Sequence, residues 1–279
     1  MLIAAVLLCL TVGGATQTPV DWKLLAPGLE LGTIAAKTAS PVGDSKIFVV
    51  RVDPASWQLE LTGRSLTGEP AGQTAREWAA GHGLAVAINA GMFAPDHKTH
   101  LGYMEFRGQV NNSQFNTYQS LAAFDARDLK SQPAFRIFDL DAPGVSLPAI
   151  RQHYASLVQN PRLVKRPGVN RWSAQDKKWS EAALGEDKEG KILFVFSRSP
   201  FSMHDLNQEL LSAGIGLVAA QHLEGGPEAQ LYVKLGAFEL EVCGSYETFF
   251  REDDGNATAW PIPNVLGVRR KPAAKTQIK

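Results

Sequence analysis

Short apolar runs of strand length recur along this sequence, and they constrain the fold more than any other feature. Several are apolar at consecutive rather than alternate positions, which is typical of strands buried on both faces. Helices packed against a sheet bury strands in this way, so we expect a mixed sheet covered by helices. The predicted strands are residues 46–53 (KIFVVRVD), 57–63 (WQLELTG), 84–89 (LAVAIN), 134–139 (AFRIFD), 191–197 (KILFVFS), 216–223 (GLVAAQHL) and 230–236 (QLYVKLG).

Three segments carry the signals of such helices. Thr74 and Glu77 form a capping box that opens a helix, and Gly81 supplies its stop. Residues 202–214 repeat this pattern, and apolar residues fall on one helical face over residues 147–158. No repeat or linker divides the chain. The sequence therefore predicts one domain of the α+β class, a mixed α/β fold with a largely buried sheet flanked by helices.

The two ends of the chain differ from the rest. Residues 1–15 are apolar and end in small side chains, as a secretory signal peptide does, although no Lys or Arg precedes the apolar run. A buried N-terminal strand is the alternative. Residues 16–268 are the expected domain, and the basic residues 269–279 a solvated tail. We therefore expect a secreted or periplasmic protein without stable membrane insertion, because the apolar run is shorter than the roughly 20 residues of a spanning helix.

Charge and cysteine content exclude several kinds of partner and site. Lys plus Arg and Asp plus Glu number 28 each, which removes the attraction that supplies most nucleic-acid affinity. Cys9 lies in the expected signal peptide, so Cys243 has no partner for an intrachain disulfide or a cysteine zinc site. No nucleic-acid partner and no cofactor are predicted. A carboxylate-rich site leaves a calcium or magnesium ion open, although no motif requires one.

Residues 222–233 (HLEGGPEAQLYV) carry the most informative chemical pattern. The predicted strand runs directly into Glu224, followed by Gly225, Gly226 and a second carboxylate, Glu228. A carboxylate at the end of a buried strand loses hydration, and it usually persists because it binds or reacts with a ligand. The glycines leave open space, and their amides can form a site for an anion. The alternative is a turn that carries two solvated acids.

Other strand ends offer further polar groups. Asn89 has two donors and an acceptor, which suit sugar hydroxyls, and Gly91 allows a ligand to approach the backbone closely. The alternative for Asn89 is a hydrogen bond to a neighbouring turn. Arg198, beside a helix N-terminus, is a candidate residue for binding a phosphate or a carboxylate. The alternative is a surface arginine paired with an acid. Among the six histidines only His100 lies near these residues, and none has metal-binding spacing.

Taken in order, these motifs resemble the phosphodiester glycosidase family, the domain of the lysosomal uncovering enzyme and of bacterial relatives. Asn89, Gly91 and Phe93 match a family N-G-G-F-F motif. The family L-D-G-G-G-S motif aligns with residues 223–228, where its Asp is replaced by Glu224 and its Ser by Glu228, and a family Arg falls on Glu181. The matching segments are INAGMF (88–93), GYMEFRGQVNN (102–112), NPRLVKRPG (160–168), residues 180–206 and HLEGGPEAQLYV (222–233).

The resemblance implies hydrolysis of the bond between a sugar's anomeric carbon and a phosphodiester. Glu224 is the expected catalytic carboxylate, and Glu228 or His100 the acid or base that assists it. The substrate is then a glycan or a sugar phosphodiester. A non-catalytic envelope glycan-binding protein, which keeps the cleft but has lost the chemistry, is the alternative. The residues expected to bind substrate are Asn89, Gly91, Phe93, Arg198, Gly225 and Gly226.

Overall fold

Strands dominate the computed structural model, which describes residues 20–272. In this part of the chain, strands form sheets of eight, five and five members, and neighbouring strands in each are antiparallel. The prediction of an α+β fold with one mixed sheet flanked by helices is therefore wrong, because the fold is mostly β. The expected signal peptide, residues 1–15, lies outside the described residues.

The first sheet carries most of the candidate chemistry. Its strands are, from edge to edge, β1 (Val20–Ala26), β2 (Leu29–Ala35), β3 (Lys46–Val52), β14 (Ile192–Phe201), β13 (Trp179–Asp187), β15 (Leu217–Gly225), β11 (Arg162–Lys165) and β12 (Val169–Asn170).

The other two sheets have five strands each. The second consists of β7 (Gln109–Asn112), β6 (Met104–Phe106), β10 (Tyr154–Asn160), β8 (Ser120–Ala126) and β9 (Phe135–Asp139). The third consists of β17 (Phe238–Cys243), β16 (Gln230–Leu235), β5 (Val86–Asn89), β18 (Asn264–Arg270) and β4 (Trp57–Gly63).

All three sheets contribute to one shared apolar core, and a helix packs on the other side of each sheet. Helix α4 (Met203–Ser212) packs on the first sheet, α3 (Leu147–His153) on the second and α2 (Ala75–His82) on the third. A short helix, α1 (Arg64–Thr67), follows β4.

This arrangement explains why the predicted fold class was wrong. Phe194 and Phe196 of β14 enter the shared core, whereas Leu193 and Val195 face the cluster around α4. The strand is apolar on both faces, as the sequence indicated, but one of those faces is covered by other sheets. A doubly apolar strand cannot distinguish a covering helix from a covering sheet.

The local helix signals gave mixed results. The capping box at Thr74 is confirmed, although α2 continues to His82 and Gly83 forms its left-handed C-cap. The helix predicted over residues 147–158 is wrong beyond His153, because β10 begins at the next residue. Leu157 and Val158 are buried in different clusters on opposite faces of β10, which a strand allows and one helical face does not.

The last described strand, β18, includes part of the segment that was expected to be a solvated tail, residues 269–279. Arg269 pairs with Gln58 and Arg270 with Trp57, so the first two residues assigned to the tail belong to β18. Residues 273–279 lie outside the described part. Within residues 20–272, no helix is long and apolar enough to cross a membrane.

The site of interest lies where the first and third sheets are joined. Glu181 of β13 stands opposite Gly225 of β15, and Ala182 stands opposite Glu224. A 3-10 turn, Gly226–Glu228, then leads from β15 into β16 of the third sheet, whose neighbour is β5.

Candidate active site

Glu224 is the more deeply buried of the two predicted strand-end acids, Glu224 and Glu228. Only 6% of its surface is exposed. Its Oε1 accepts a hydrogen bond from the Gly225 amide at 3.1 Å. Its Oε2 is buried and has no hydrogen-bond partner among residues 20–272. Burial raises the pKa of Glu224 well above its usual value, and the nearby Glu228 and Glu181 carboxylates raise it further. Glu224 therefore retains its proton to higher pH than an exposed glutamate.

Glu228 occupies a more open position on the 3-10 turn. Burial raises its pKa and Glu247 adds to the rise, while the exposed His97 opposes it. Glu228 and His97 both line a cleft of about 500 Å³ that is bounded by Trp260. The two predicted carboxyl groups thus interact electrostatically but differ in exposure.

A larger cavity of about 540 Å³ lies elsewhere, beside Trp57 and Phe124. Its lining is mostly apolar and contains one carboxylate, Asp125. None of the predicted site residues lines it. The chemistry points to the Glu228 cleft, because Glu228, one of the two predicted strand-end acids, lines it; Glu224 is not among the residues that line it.

A glutamate–histidine pair lies beside these acids. His222 Nδ1 is 2.7 Å from Glu181 Oε1, and Trp179 Nε1 donates a 2.7 Å hydrogen bond to Glu181 Oε2. Glu181 is 1% exposed. Burial raises its pKa, and the favourable interaction with His222 opposes that rise. Both side-chain oxygens of Glu181 therefore lie within hydrogen-bond distance of an aromatic ring nitrogen.

Glu247 completes the acidic cluster from a different segment. Gly226, with φ +61°, approaches it so closely that an added Cβ would lie 2.5 Å from Glu247 Oε2. Burial raises the pKa of Glu247, and His222 opposes the rise. The described residues contain no group of three or more His, Cys, Asp or Glu side chains arranged to hold a metal ion.

Asn89 is placed at the predicted strand end, but its side chain is hydrogen-bonded to the protein through both Nδ2 and Oδ1. It donates from Nδ2 to the Glu228 carbonyl at 2.9 Å and accepts at Oδ1 from the Gln230 amide at 2.7 Å. It is 1% exposed. This geometry supports the alternative of a turn-binding asparagine, which fixes the backbone around Glu228.

Gly91 and His100 pack against each other behind this strand end. Gly91 has φ +148°, and a Cβ there would overlap His100 Cε1 and Asn160 Oδ1. His100 is fully buried, its Nε2 lies 2.8 Å from the Gln159 carbonyl, and burial lowers its pKa to about 4. Phe93 forms an isolated bridge with His100. These residues shape the strand end, and His100 is enclosed by protein rather than open to a ligand.

Arg198 holds the chain segment that carries Glu247. Its guanidinium donates to the carbonyl oxygens of Cys243, Asp254 and Asn256 at 2.7–3.0 Å, and its Nε is 2.7 Å from Asp254 Oδ1. Those contacts use the donors that a phosphate would require. They match the alternative interpretation of an arginine paired with an acid.

Comparison with known proteins agrees with the sequence motifs. The sequence profile of the phosphodiester glycosidase family matches residues 82–269, well over half of the chain. The chain belongs to the phosphodiester glycosidase family. Members of this family are glycosidases that act on phosphodiesters, which supports a hydrolase at the family level. No curated protein matches the sequence.

Solved structures show the same fold at low sequence identity. The zebrafish N-acetylglucosamine-1-phosphodiester alpha-N-acetylglucosaminidase catalytic domain, auto-inhibited by its pro-peptide, has a TM-score of 0.60 and 16% identity over 94% of this chain and 92% of that chain. A hypothetical protein from Synechocystis gives 0.59 and 15%, over 91% and 64%. A Burkholderia pseudomallei protein provisionally classed as exported gives 0.50 and 11%, over 80% and 73%.

Three polar neighbours of Glu224 are not predicted as site residues from the sequence. His222 and Glu247 were not predicted, and Glu181 was noted only as a departure from the family motif. His222 is close to Glu224 in sequence, so the H-x-E spacing was a usable signal. Glu247 follows two further strands, and no local pattern connects it to the cluster.

Proposed function

We propose that the chain is an exported hydrolase that cleaves a sugar from a glycosyl phosphodiester, with Glu224 as its catalytic carboxyl group. The observation that carries the proposal is the buried, unpartnered Oε2 of Glu224 beside a second, more exposed carboxyl group on Glu228. Glycoside hydrolysis commonly uses two carboxyl groups, and their environments determine which one donates a proton.

The two carboxyl groups then take different roles. Glu224, protonated because it is buried, donates to the oxygen that leaves with phosphorus, and its neutral form does not repel an anionic substrate. Glu228 is partly exposed and, when ionised, stabilises the positive charge that develops on the sugar ring. Glu181 and Glu247 strengthen the proton affinity of Glu224. Phosphate is a good leaving group, so this protonation contributes less than in an ordinary glycosidase.

The proposed export rests on two observations. Residues 1–15 have the composition of a signal peptide, and one structural neighbour is provisionally classed as exported. An exported hydrolase would meet envelope or extracellular glycans.

A non-catalytic glycan-binding protein is the second candidate. It is favoured by the commitment of Arg198 to carbonyl groups and by the presence of Glu181 where the family motif has an arginine. Both features reduce the positive charge available to a phosphate. Turnover separates the candidates, because a binding protein releases no product from a chromogenic sugar phosphodiester.

The decisive variant is Glu224→Gln, which keeps the shape of the side chain but cannot transfer a proton. We expect kcat to fall on the order of a thousandfold, equivalent to about 4 kcal/mol of barrier, with ligand affinity nearly unchanged. Steady-state kinetics on a chromogenic glycosyl phosphodiester and calorimetric binding of its product measure the two effects.

Glu189→Gln, an exposed glutamate in the turn after β13, is the matched control and should keep full activity. Glu228→Gln tests the second carboxyl group. Activity that survives in Glu224→Gln, Glu228→Gln and the double variant would exclude carboxyl catalysis at this strand end.

A further inference from the structure

Trp260 differs from the other five tryptophans of the chain in its surroundings. Within residues 20–272, each of the others packs in an apolar cluster, whereas Trp260 belongs to none and lines the Glu228 cleft half-buried. No aromatic ring or cation in this part of the chain stacks on its indole. The apolar core therefore does not account for this large side chain, and its ring is available to a ligand in the cleft.

The backbone of Trp260 is fixed together with that of Glu228. Gln230 Nε2 donates to the Trp260 carbonyl at 2.5 Å and lies 3.5 Å from the Glu228 carbonyl. The indole N–H donates to Asn256 Oδ1 at 3.2 Å, and Pro261 follows with its restricted φ. The two residues are thus held next to each other before a ligand arrives, which lowers the entropic cost of binding.

Glu228 and His97 give this cleft polar groups that the protein itself does not use. Among residues 20–272, nothing donates a hydrogen bond to the Glu228 carboxyl group, and neither ring nitrogen of the exposed His97 has a hydrogen-bond partner. His97 has φ +50°, which is uncommon for a residue with a side chain, and Arg64 Nη1 donates to its carbonyl at 2.5 Å. An aromatic face beside a few free polar groups is typical of a small-molecule site, and it suits the apolar face and hydroxyl rim of a sugar.

The charges in the cleft favour a neutral ring over a phosphate. Arg64 is the one arginine or lysine among the described residues that line it. Its Nη1 donates to the His97 carbonyl, its Nη2 donates to the Pro70 carbonyl at 2.6 Å, and its Nε is buried. An arginine binds a phosphate with these same donors. An ionised Glu228 would also repel an anion placed beside it.

We propose that the Glu228 cleft binds a neutral pyranose ring, with the apolar face of the sugar stacked on the Trp260 indole and its hydroxyl groups hydrogen-bonded to Glu228 and His97. The inference rests on the proposed function in taking the ligand to be a glycan, and it applies to the hydrolase and to the glycan-binding protein alike. In the hydrolase, the phosphate of the substrate then lies outside this cleft.

Calorimetric titration with the methyl glycosides of glucose and of N-acetylglucosamine tests the stacking. We expect Trp260→Ala to weaken the tighter of the two about tenfold or more, and Trp260→Phe, which keeps an aromatic ring, to weaken it by about threefold or less. Trp22→Ala removes a half-buried tryptophan of β1 and is the matched control, which should bind as wild type. Thermal unfolding of each variant checks that it is folded.

Tryptophan emission reports on the ring itself. The saturating glycoside should change the emission of wild type and of Trp22→Ala, but not that of either Trp260 variant. Trp260→Phe gives this answer without the larger truncation. An emission change that persists in a folded Trp260→Phe would place the sugar elsewhere and overturn the inference.

The remaining outcomes separate this inference from the proposed hydrolase. Failure of wild type to bind either glycoside, unchanged affinity in a folded Trp260→Ala, or displacement of the glycoside by inorganic phosphate would overturn the sugar site. Turnover of a chromogenic glycosyl phosphodiester by Trp260→Ala with unchanged KM would overturn it and leave the hydrolase intact. Binding that depends on Trp260 in a wild-type protein that cleaves no glycosyl phosphodiester would support the sugar site and overturn the hydrolase.

Discussion

The carboxyl group of Glu224 should make the stability of the protein depend on pH in a defined direction. Its folded pKa lies well above the usual 4.5 because of burial and neighbouring carboxylates. The folded state therefore binds this proton more tightly than the unfolded state, and the free energy of unfolding falls as pH rises from about 4.5 through the folded pKa.

Glu224→Gln removes that titration. The stability of the variant relative to wild type should increase as pH rises through this window and change little below it. Urea unfolding of both proteins at several pH values measures the difference. A difference that is constant with pH would show that the folded protein does not raise the pKa of Glu224.

At the residue scale, a local signal marks Glu224, because an apolar strand runs into it and glycines follow. The structure places Glu224 next to the last residue of β15. The engagement of Asn89 with the backbone at Glu228 and Gln230 depends on the pairing of β5 with β16, which spacing does not reveal. The commitment of Arg198 to carbonyl oxygens depends in the same way on distant residues.

At the scale of elements, β14 anchors the segment between β17 and β18 through Arg198. Arg198→Lys keeps the charge but cannot reach three carbonyl groups and Asp254 together, so we expect a loss of roughly 1–3 kcal/mol in the free energy of unfolding. Because the guanidinium faces protein, affinities for a phosphate-bearing sugar and for its neutral analogue should shift by the same factor. Urea unfolding and calorimetric titration with both ligands measure these effects. A selective loss of affinity for the phosphate-bearing ligand would instead show that Arg198 binds the phosphate.

Each strand predicted from an apolar run is present, with ends that shift by a few residues. Several strands that carry weaker patterns were not predicted, among them β8 (Ser120–Ala126) and β13 (Trp179–Asp187). The latter contains buried Ser180, Glu181, Glu186 and Asp187, which local hydrophobicity assigns to the surface. Their burial depends on partners such as Trp179, His222 and Arg166 in the folded chain.

For the whole molecule, the motifs are sufficient to place the chain in its family, whereas the fold class requires the tertiary structure. Whether an apolar strand face meets a helix or a second sheet is decided by long-range pairing. The family motifs can be recognised despite this ambiguity, because they lie at strand ends. A strand ends at the same residues whether a helix or a second sheet covers it.

The proposed export concerns the whole chain and can be tested directly. The mature protein should begin near Thr16, because Gly13 and Ala15 occupy the small-residue positions that signal peptidase requires. Mass spectrometry of protein recovered outside the cytoplasm measures its N-terminus. Recovery of the protein only in the cytoplasm with Met1 intact would contradict export.

The place of β18 between β5 and β4 has a consequence for the order in which the protein can assemble. On a growing chain, β4 has no partner and β5 lacks both of its neighbours until the C-terminal third has been made. Pairings of such sequence separation are slow to form. The strand that ends at Asn89, and with it the backbone that supports Glu228, is therefore completed only after Asn264–Arg270 have been synthesised and have left the ribosome.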